Sequence, residues 1–382
     1  MKEISGLPSP PLLPARPRRS LLRWAAIVFA SLLGLLLAAL LLLMTGWEIG
    51  LVPLFIGFVL ATLPVPIYLA LVLWIDRYES EPVWTLVIAF TWGALVAVFI
   101  AALINSIGSA VVGELLGEGA GNFYGVVISA PIVEESAKAI LLFGLYFWKR
   151  SEFDGVIDGI IYASMVGLGF AMTENIQYYG GAALEEGVQG GLTLFVLRGM
   201  MAPFSHPLFT SMTGIGVGLA SQTKNKFIRF FAPALGLTVA IFLHSLWNLS
   251  ATINAALYFI VYFLIMVPMF VAVLVAIFFA LRREGRIVRE QLRLDLEHGR
   301  LTQSELERLA SVRGRFRASL TALTKGGGYR AWRTRRQFNR VASELAFHRN
   351  RVSHGLIATG DLALEEAYVR QLRELHRQFD IT

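Results

Sequence analysis

The chain has 382 residues, 55% of them hydrophobic, with 26 Phe and 8 Trp and a mean hydropathy of +0.61, which excludes an ordinary soluble domain. It contains no cysteine, so disulfides, thiolate metal sites and cysteine nucleophiles are excluded as well. The net charge of +7 is unevenly spread: from Arg282 onward 21 Lys/Arg face 12 Asp/Glu, a net of +9, and the preceding chain sums to about −2.

Residues 1–24 are rich in proline and arginine (Pro8, Pro10, Pro11, Pro14, Pro17; Arg16, Arg18, Arg19, Arg23) and read as a basic cytoplasmic arm. The apolar run from Trp24 to Met44 is longer than a signal-peptide core and has no small-residue cleavage site, so it reads as a first membrane helix. Further apolar runs predict helices at about 50–75, 83–106, 124–148, 156–179, 192–220, 229–251 and 255–281. The expected fold is therefore all-α, a polytopic bundle of about eight transmembrane helices spanning 25–281. A basic, helical cytoplasmic tail follows over 282–382.

Charge placement orients this layout. One set of loops holds Arg77, Lys149, Arg150, Lys224 and Lys226; the alternate loops hold Glu48, Glu114, Glu118, Glu185 and Glu186 and no Lys or Arg. The positive-inside rule then puts both termini in the cytoplasm. On the outer side, the glycine-rich stretch 107–123 reads as a long flexible loop. In the tail, Thr302-x-x-Glu305 has the form of a capping box and Gly326-Gly327-Gly328 a break between helical parts. Arg330, Arg333, Arg335, Arg336 and Arg340 beside Tyr329 and Trp332 suit anionic headgroups of the inner leaflet. No nucleic-acid motif is present, and no nucleic-acid partner is expected.

Against this apolar background a few polar residues stand out. Glu134, Glu135 and Lys138 lie in the fourth predicted helix, and Glu174-Asn175 in the fifth. His206 lies in the sixth and His244 with Asn248 in the seventh. A charge at membrane depth costs at least ~2.5 kcal/mol, so its presence points to function. At ~1.5 Å of rise per residue, Glu174 lies ~8 Å, His244 ~10 Å, Glu134 ~15 Å and His206 ~20 Å from the predicted outer helix ends. The helix ends are placed to within several ångströms, so these depths are compatible with one common level in the outer half of a bilayer. Glu134 and Lys138 share a helix face at i, i+4, whereas Glu135 points ~100° away. Arg198, in the sixth helix, reads as snorkelling outward rather than as a counter-ion.

Two histidines with one or two glutamates suit a Zn²⁺ ion held by His206, His244 and Glu134 with an open water position. They equally suit a metal-free site in which a buried glutamate activates water. No HExxH is present. Buried Glu, Lys and His could also form a proton relay in a transporter or channel, although no internal repeat supports that class. A non-catalytic sensor acting through the tail is a third class.

Five motifs occur in order: Asp76-Arg77-Tyr78-Glu79-x-Glu81-Pro82; Glu134-Glu135-x-x-Lys138; Gly167-x-Gly169-Phe170-Ala171-x-x-Glu174-Asn175; His206-x-Leu208-Phe209-Thr210-x-x-x-Gly214-x-Gly216-x-Gly218; and His244-x-x-Trp247-Asn248. Together, over about residues 70–282, they resemble the PrsW family of intramembrane proteases, which is distantly similar to CAAX prenyl proteases and bacteriocin-processing enzymes. The resemblance implies a prokaryotic cell-membrane endopeptidase that cleaves membrane-anchored proteins, anti-sigma factors among them. It implies catalytic roles for Glu134, Glu135, His206, His244 and Asn248, supported by Lys138, Glu174 and Asn175. Family members are usually called metalloproteases, whereas the prenyl-protease relatives resemble a metal-free glutamate design.

Overall fold

The computed structural model describes residues 21–78, 81–149, 153, 155–325, 327–354 and 362–379. The basic arm up to residue 20, Glu79 and Arg150 lie outside them. Every regular element among the described residues is helical. In chain order the helices are α1 Leu21–Ile49, α2 Leu51–Thr62, α3 Val65–Ile75, α4 Val83–Thr91, α5 Val98–Leu116, α6 Glu118–Phe123, α7 Ala130–Trp148, α8 Val156–Leu194, α9 Ser205–Ser221, α10 Lys226–Ile253, α11 Ala255–Val261 and α12 Val267–Gln291. Four π-helical segments, Trp92–Ala97, Tyr124–Ser129, Phe195–Met201 and Tyr262–Met266, interrupt the runs.

Among the described residues, six stretches are long and apolar enough to cross a membrane: Val28–Ile49, Leu51–Ile75, Val83–Leu116, Val156–Ser221, Lys226–Ile253 and Ala255–Glu297. Their outer faces carry large bare apolar side chains, such as Leu35, Leu43, Phe55, Leu235 and Leu264. So extensive an apolar surface demands a hydrocarbon solvent.

The backbone departs from the predicted spans at four places. Pro64 lacks an N–H, and the expected helix over 50–75 breaks into α2 and α3 there. The stretch 107–123 is helix rather than a long loop, with one turn at Gly117, whose φ of 95° suits glycine. The expected loop at 180–191 is a continuation of α8, broken only at Gly187. The run 192–220 is divided by a π-segment and a turn at 202–204, so His206 sits in the first turn of α9 rather than deep in a long helix.

Helix α8 is the axis, with every side chain from Ile157 to Phe170 buried. It tolerates this because its small residues let neighbours approach to backbone contact. A Cβ on Gly159 would lie 2.0 Å from the carbonyl oxygen of Gly214 in α9, and one on Gly169 would lie 2.1 Å from that of Phe90 in α4. These approaches hold α4, α8 and α9 at fixed register, and register decides which polar side chains meet.

Helix α12 runs on past position 282 and leads into α13 Arg293–Glu297, α14 Gln303–Leu309, α15 Val312–Thr324, α16 Tyr329–Ser353 and α17 Leu362–Phe379. The capping box is formed: the Thr302 hydroxyl accepts from the Glu305 N–H, and the Glu305 carboxylate accepts from the Thr302 N–H. The glycine break also stands, with Gly327 and Gly328 at φ of 107° and 74° between α15 and α16. The tail is more than a two-part hairpin, and it packs on the Asp76–Pro82 loop. Tyr78 is 2% exposed and donates to the Ala310 carbonyl at 3.0 Å.

Arg315 secures this contact. Its guanidinium lies 4.4 Å from the Tyr78 ring centre and donates to the carbonyls of Leu309 (2.6 Å) and Arg77 (3.2 Å) and to the Ser343 hydroxyl (2.7 Å). Burial pulls it down to about 10. On the other side of the loop, the Glu81 N–H donates to Asp76 at 2.9 Å, and the Tyr162 hydroxyl of α8 donates to Glu81 at 2.5 Å. The tail is thus tied through one loop to the central helix.

Two outcomes follow from this junction. Arg315→Ala removes several charge-assisted hydrogen bonds, each worth about 1.5–3 kcal/mol, and is expected to lower the thermal midpoint and speed proteolysis between α15 and α16. Burial raises the Asp76 carboxyl from its ordinary 3.8 to about 6, against the lowering effect of the Glu81 N–H. A raised carboxyl favours the folded state most below its unfolded value, and that contribution is lost as pH rises through about 6. The slope of melting temperature against pH between about 4 and 6 is therefore expected to flatten in Asp76→Asn.

Candidate active site

The paired glutamates sit on α7, with Pro131 in its first turn, where a missing N–H costs nothing. Consecutive residues diverge by about 100° around a helix, so the two carboxylates face different neighbours. Glu135 is fully buried. Its Oε1 lies 3.1 Å from His244 Nδ1 on α10 and 2.9 Å from Lys138 Nζ, and its Oε2 accepts from the Thr210 hydroxyl of α9 at 2.9 Å. The Glu134 side chain keeps 7% exposure; its Oε2 is 3.4 Å from Lys138 Nζ and 3.9 Å from His244 Nε2.

Glu174 and His206 are brought together although their sequence depths differ by ~12 Å. His206 Nε2 lies 2.8 Å from Glu174 Oε2. The discrepancy came from the assigned helix ends: α8 continues beyond 179, which deepens Glu174, and α9 starts at Ser205. Arg198, on the π-segment Phe195–Met201, donates to Glu174 at 2.6 Å and to the Asn175 side-chain oxygen at 3.0 Å, and lies 3.8 Å from the Tyr178 ring centre. It is a counter-ion, not a snorkelling side chain. The π-turn swings it inward, and periodicity at 3.6 residues cannot show that.

The two imidazoles meet nearly edge to face, their ring centres 5.1 Å apart, between Phe170 and Phe209. A carboxylate only accepts, so each ring carries its proton on the nitrogen facing one: Nε2 of His206 toward Glu174, and Nδ1 of His244 toward Glu135. That leaves His206 Nδ1 and His244 Nε2 as lone pairs. Lys138 Nζ lies 3.1 Å from the former and 3.7 Å from the Phe170 ring centre.

Asn248 stands apart from these contacts. Its amide donates to the Val126 carbonyl at 2.9 Å, within the π-segment that precedes α7. Thr210 stands in the His206 motif but was given no role there; it lies four positions after His206, on the same face of α9, and holds Glu135. That spacing was the available signal.

The donor set fits a zinc ion. Glu134, His206 and His244 each offer one ligand atom, all within 4.8 Å of one another and all buried. One carboxylate with two imidazoles is the donor type of hydrolytic zinc sites, which keep an open position. The remaining nitrogen of each imidazole rests on a carboxylate, the usual support for a ligating histidine.

Comparison with known proteins agrees with this geometry. A profile described as "PrsW family intramembrane metalloprotease" matches residues 81–273. The chain is 30% identical over 179 residues to Protease PrsW of Oceanobacillus iheyensis, covering 44% of this chain and 71% of that one. It is 30% identical over 177 residues to Protease PrsW of Bacillus subtilis (46% and 74%), and 29% identical over 191 residues to that of Clostridioides difficile (50% and 77%). No solved structure matches. The matched region contains all four helices that converge on the carboxylate–imidazole cluster, and the chain belongs to the PrsW family of intramembrane proteases.

Proposed function

We propose that this chain hydrolyses peptide bonds of membrane-anchored proteins, anti-sigma factors among them, at the cluster of Glu134, Glu135, His206 and His244, with zinc held by Glu134, His206 and His244. The observation that carries the reading is the convergence of these buried groups, from three helices, within hydrogen-bonding range inside a bundle of bilayer-length helices. A proton relay strings its groups across a membrane; here they form one knot, which favours hydrolysis over transport.

Glu134 would offer a metal one carboxylate oxygen and acts as general base through the other, because it is the carboxylate of the pair that retains exposure. It takes a proton from water as the water oxygen adds to the scissile carbonyl carbon, then returns it to the amine as the C–N bond breaks. Glu135 holds His244 by Nδ1 and so aims Nε2 at the reacting centre. Glu174 does the same for His206 and is itself braced by Arg198, with Asn175 beside it. A bound zinc ion would polarise the carbonyl and stabilise the developing charge. Asn248 spends one amide N–H on Val126 and has a second for the oxyanion.

The wider layout is read in the same way. Eight crossings result if α7, whose three charges lower its apolarity, is counted and the 66-residue run Val156–Ser221, ~99 Å as one helix, is divided. The positive-inside pattern then puts both termini in the cytoplasm and the cluster in the outer half of the bilayer. The tail, 282–382, follows the protease core on the cytoplasmic side. Of the basic cluster, Arg330, Arg333, Arg336 and Arg340 are exposed there beside the stacked Tyr329 and Trp332 and face anionic headgroups, whereas Arg335 is buried and takes no part.

Glu134→Gln and His244→Ala are each expected to slow cleavage of a membrane-anchored reporter by ~10²-fold or more, measured in reconstituted vesicles. Unchanged rates in both would remove this cluster from the chemistry. Chelation is expected to abolish cleavage and added zinc to restore it in the wild type but not in His206→Ala/His244→Ala. Cleavage that survives chelation in protein with no measurable metal would assign the chemistry to the glutamate alone.

A further inference from the structure

The Lys138 ammonium has three protons, and three acceptors surround it: Glu135 Oε1 at 2.9 Å, His206 Nδ1 at 3.1 Å and Glu134 Oε2 at 3.4 Å. Its fourth side is closed by the Phe170 ring, whose centre is 3.7 Å away. The side chain is fully buried. Two of its three acceptors, Glu134 and His206, also belong to the set of residues able to hold a metal ion.

A neutral imidazole has one lone pair. His206 Nε2 faces Glu174 and carries the proton, so Nδ1 is the only atom of that ring able to accept from lysine or to bond a metal. It cannot do both at once. Electrostatics act in the same direction, since an ammonium and a divalent ion sharing Glu134 repel each other in a medium that screens poorly.

We propose that Lys138 is a tethered cation that competes with the divalent ion for His206 Nδ1 and Glu134, so that lysine and metal hold these two ligands alternately. Charge balance favours such an arrangement. Three carboxylates, Glu134, Glu135 and Glu174, are buried here against two cations, Lys138 and Arg198. Without metal, the lysine keeps the carboxylates compensated and the helices together. With metal, the ion replaces the lysine at Glu134 and His206, and Lys138 retains Glu135, three residues away on its own helix. The site would then load zinc weakly for its donor set, and Lys138 would be the positioning residue that sets how weakly.

This inference rests on the reading of the cluster as a metal-holding hydrolytic site, and affinity rather than activity tests it. Zn²⁺ alone is titrated into the full-length protein in detergent against a chromophoric chelator, for wild type, Lys138→Met, Lys138→Gln and His206→Ala. Lys138→Met keeps the side-chain volume without the charge, and Lys138→Gln covers the case in which methionine impairs folding. Either folded variant is expected to bind Zn²⁺ at least ~10-fold more tightly than wild type, and His206→Ala more weakly. Affinity in the lysine variants equal to or below that of wild type would overturn the proposal while leaving the hydrolytic reading intact. Affinity unchanged in His206→Ala, or no binding in any protein, would sink the metal-holding reading along with it.

Discussion

The structure depends on compensating three carboxylates inside an apolar bundle. An unpaired carboxylate buried among hydrocarbon is too costly to persist, so each must find a cation or several donors. Glu135 finds Lys138, His244 and Thr210; Glu174 finds Arg198 and His206; Glu134 shares Lys138. These partners come from α7, α9, α10 and the π-segment before Ala202, so satisfying the charges determines how those elements must meet. The same compensation brings the buried Glu134 carboxylate and the two imidazoles together, the convergence on which the proposed hydrolysis rests.

Such proximity needs close backbones. Glycine at positions 159, 169 and 214 brings α4, α8 and α9 to carbonyl contact, where a single methyl group would collide. The π-segments serve the same end. One carries Arg198 to Glu174, one presents the Val126 carbonyl to Asn248 just before α7, and one places Trp92, whose indole N–H donates to the Ala137 carbonyl at 2.9 Å. A wider turn shifts the facing of every later residue, and in this bundle the shift falls where polar groups must be aimed.

The charged loop after α3 joins the site to the tail. Tyr78 and Arg315 hold it on one side and the Tyr162–Glu81 hydrogen bond on the other, and Tyr162 lies on the helix that carries Glu174 one turn after Phe170. The loop stands out in sequence as an unusually charged turn and as one of the five motifs, but nothing along it indicates a partner in the tail. Only the packing of α15 on it shows that its charges are structural.

The sequence by itself determined the class of protein, the family and the polar residues that meet in the buried cluster. Long apolar runs can fold only as membrane helices, and a few ionisable residues within them stand out because burial makes them costly. Glu134, Glu135, Lys138, Glu174, His206 and His244 were all legible on that ground. Their relations were not. Which glutamate faces His244, that Arg198 turns inward, that Thr210 joins the cluster, that Asn248 turns to Val126 and that Lys138 takes the lone pair of His206 were decided by tertiary structure. Helical periodicity orders side chains around one axis only. The rotation and register between axes come from glycine contacts, π-turns and breaks at Pro64, Gly117 and Gly187, each a local event whose effect on facing appears only once the helices are packed.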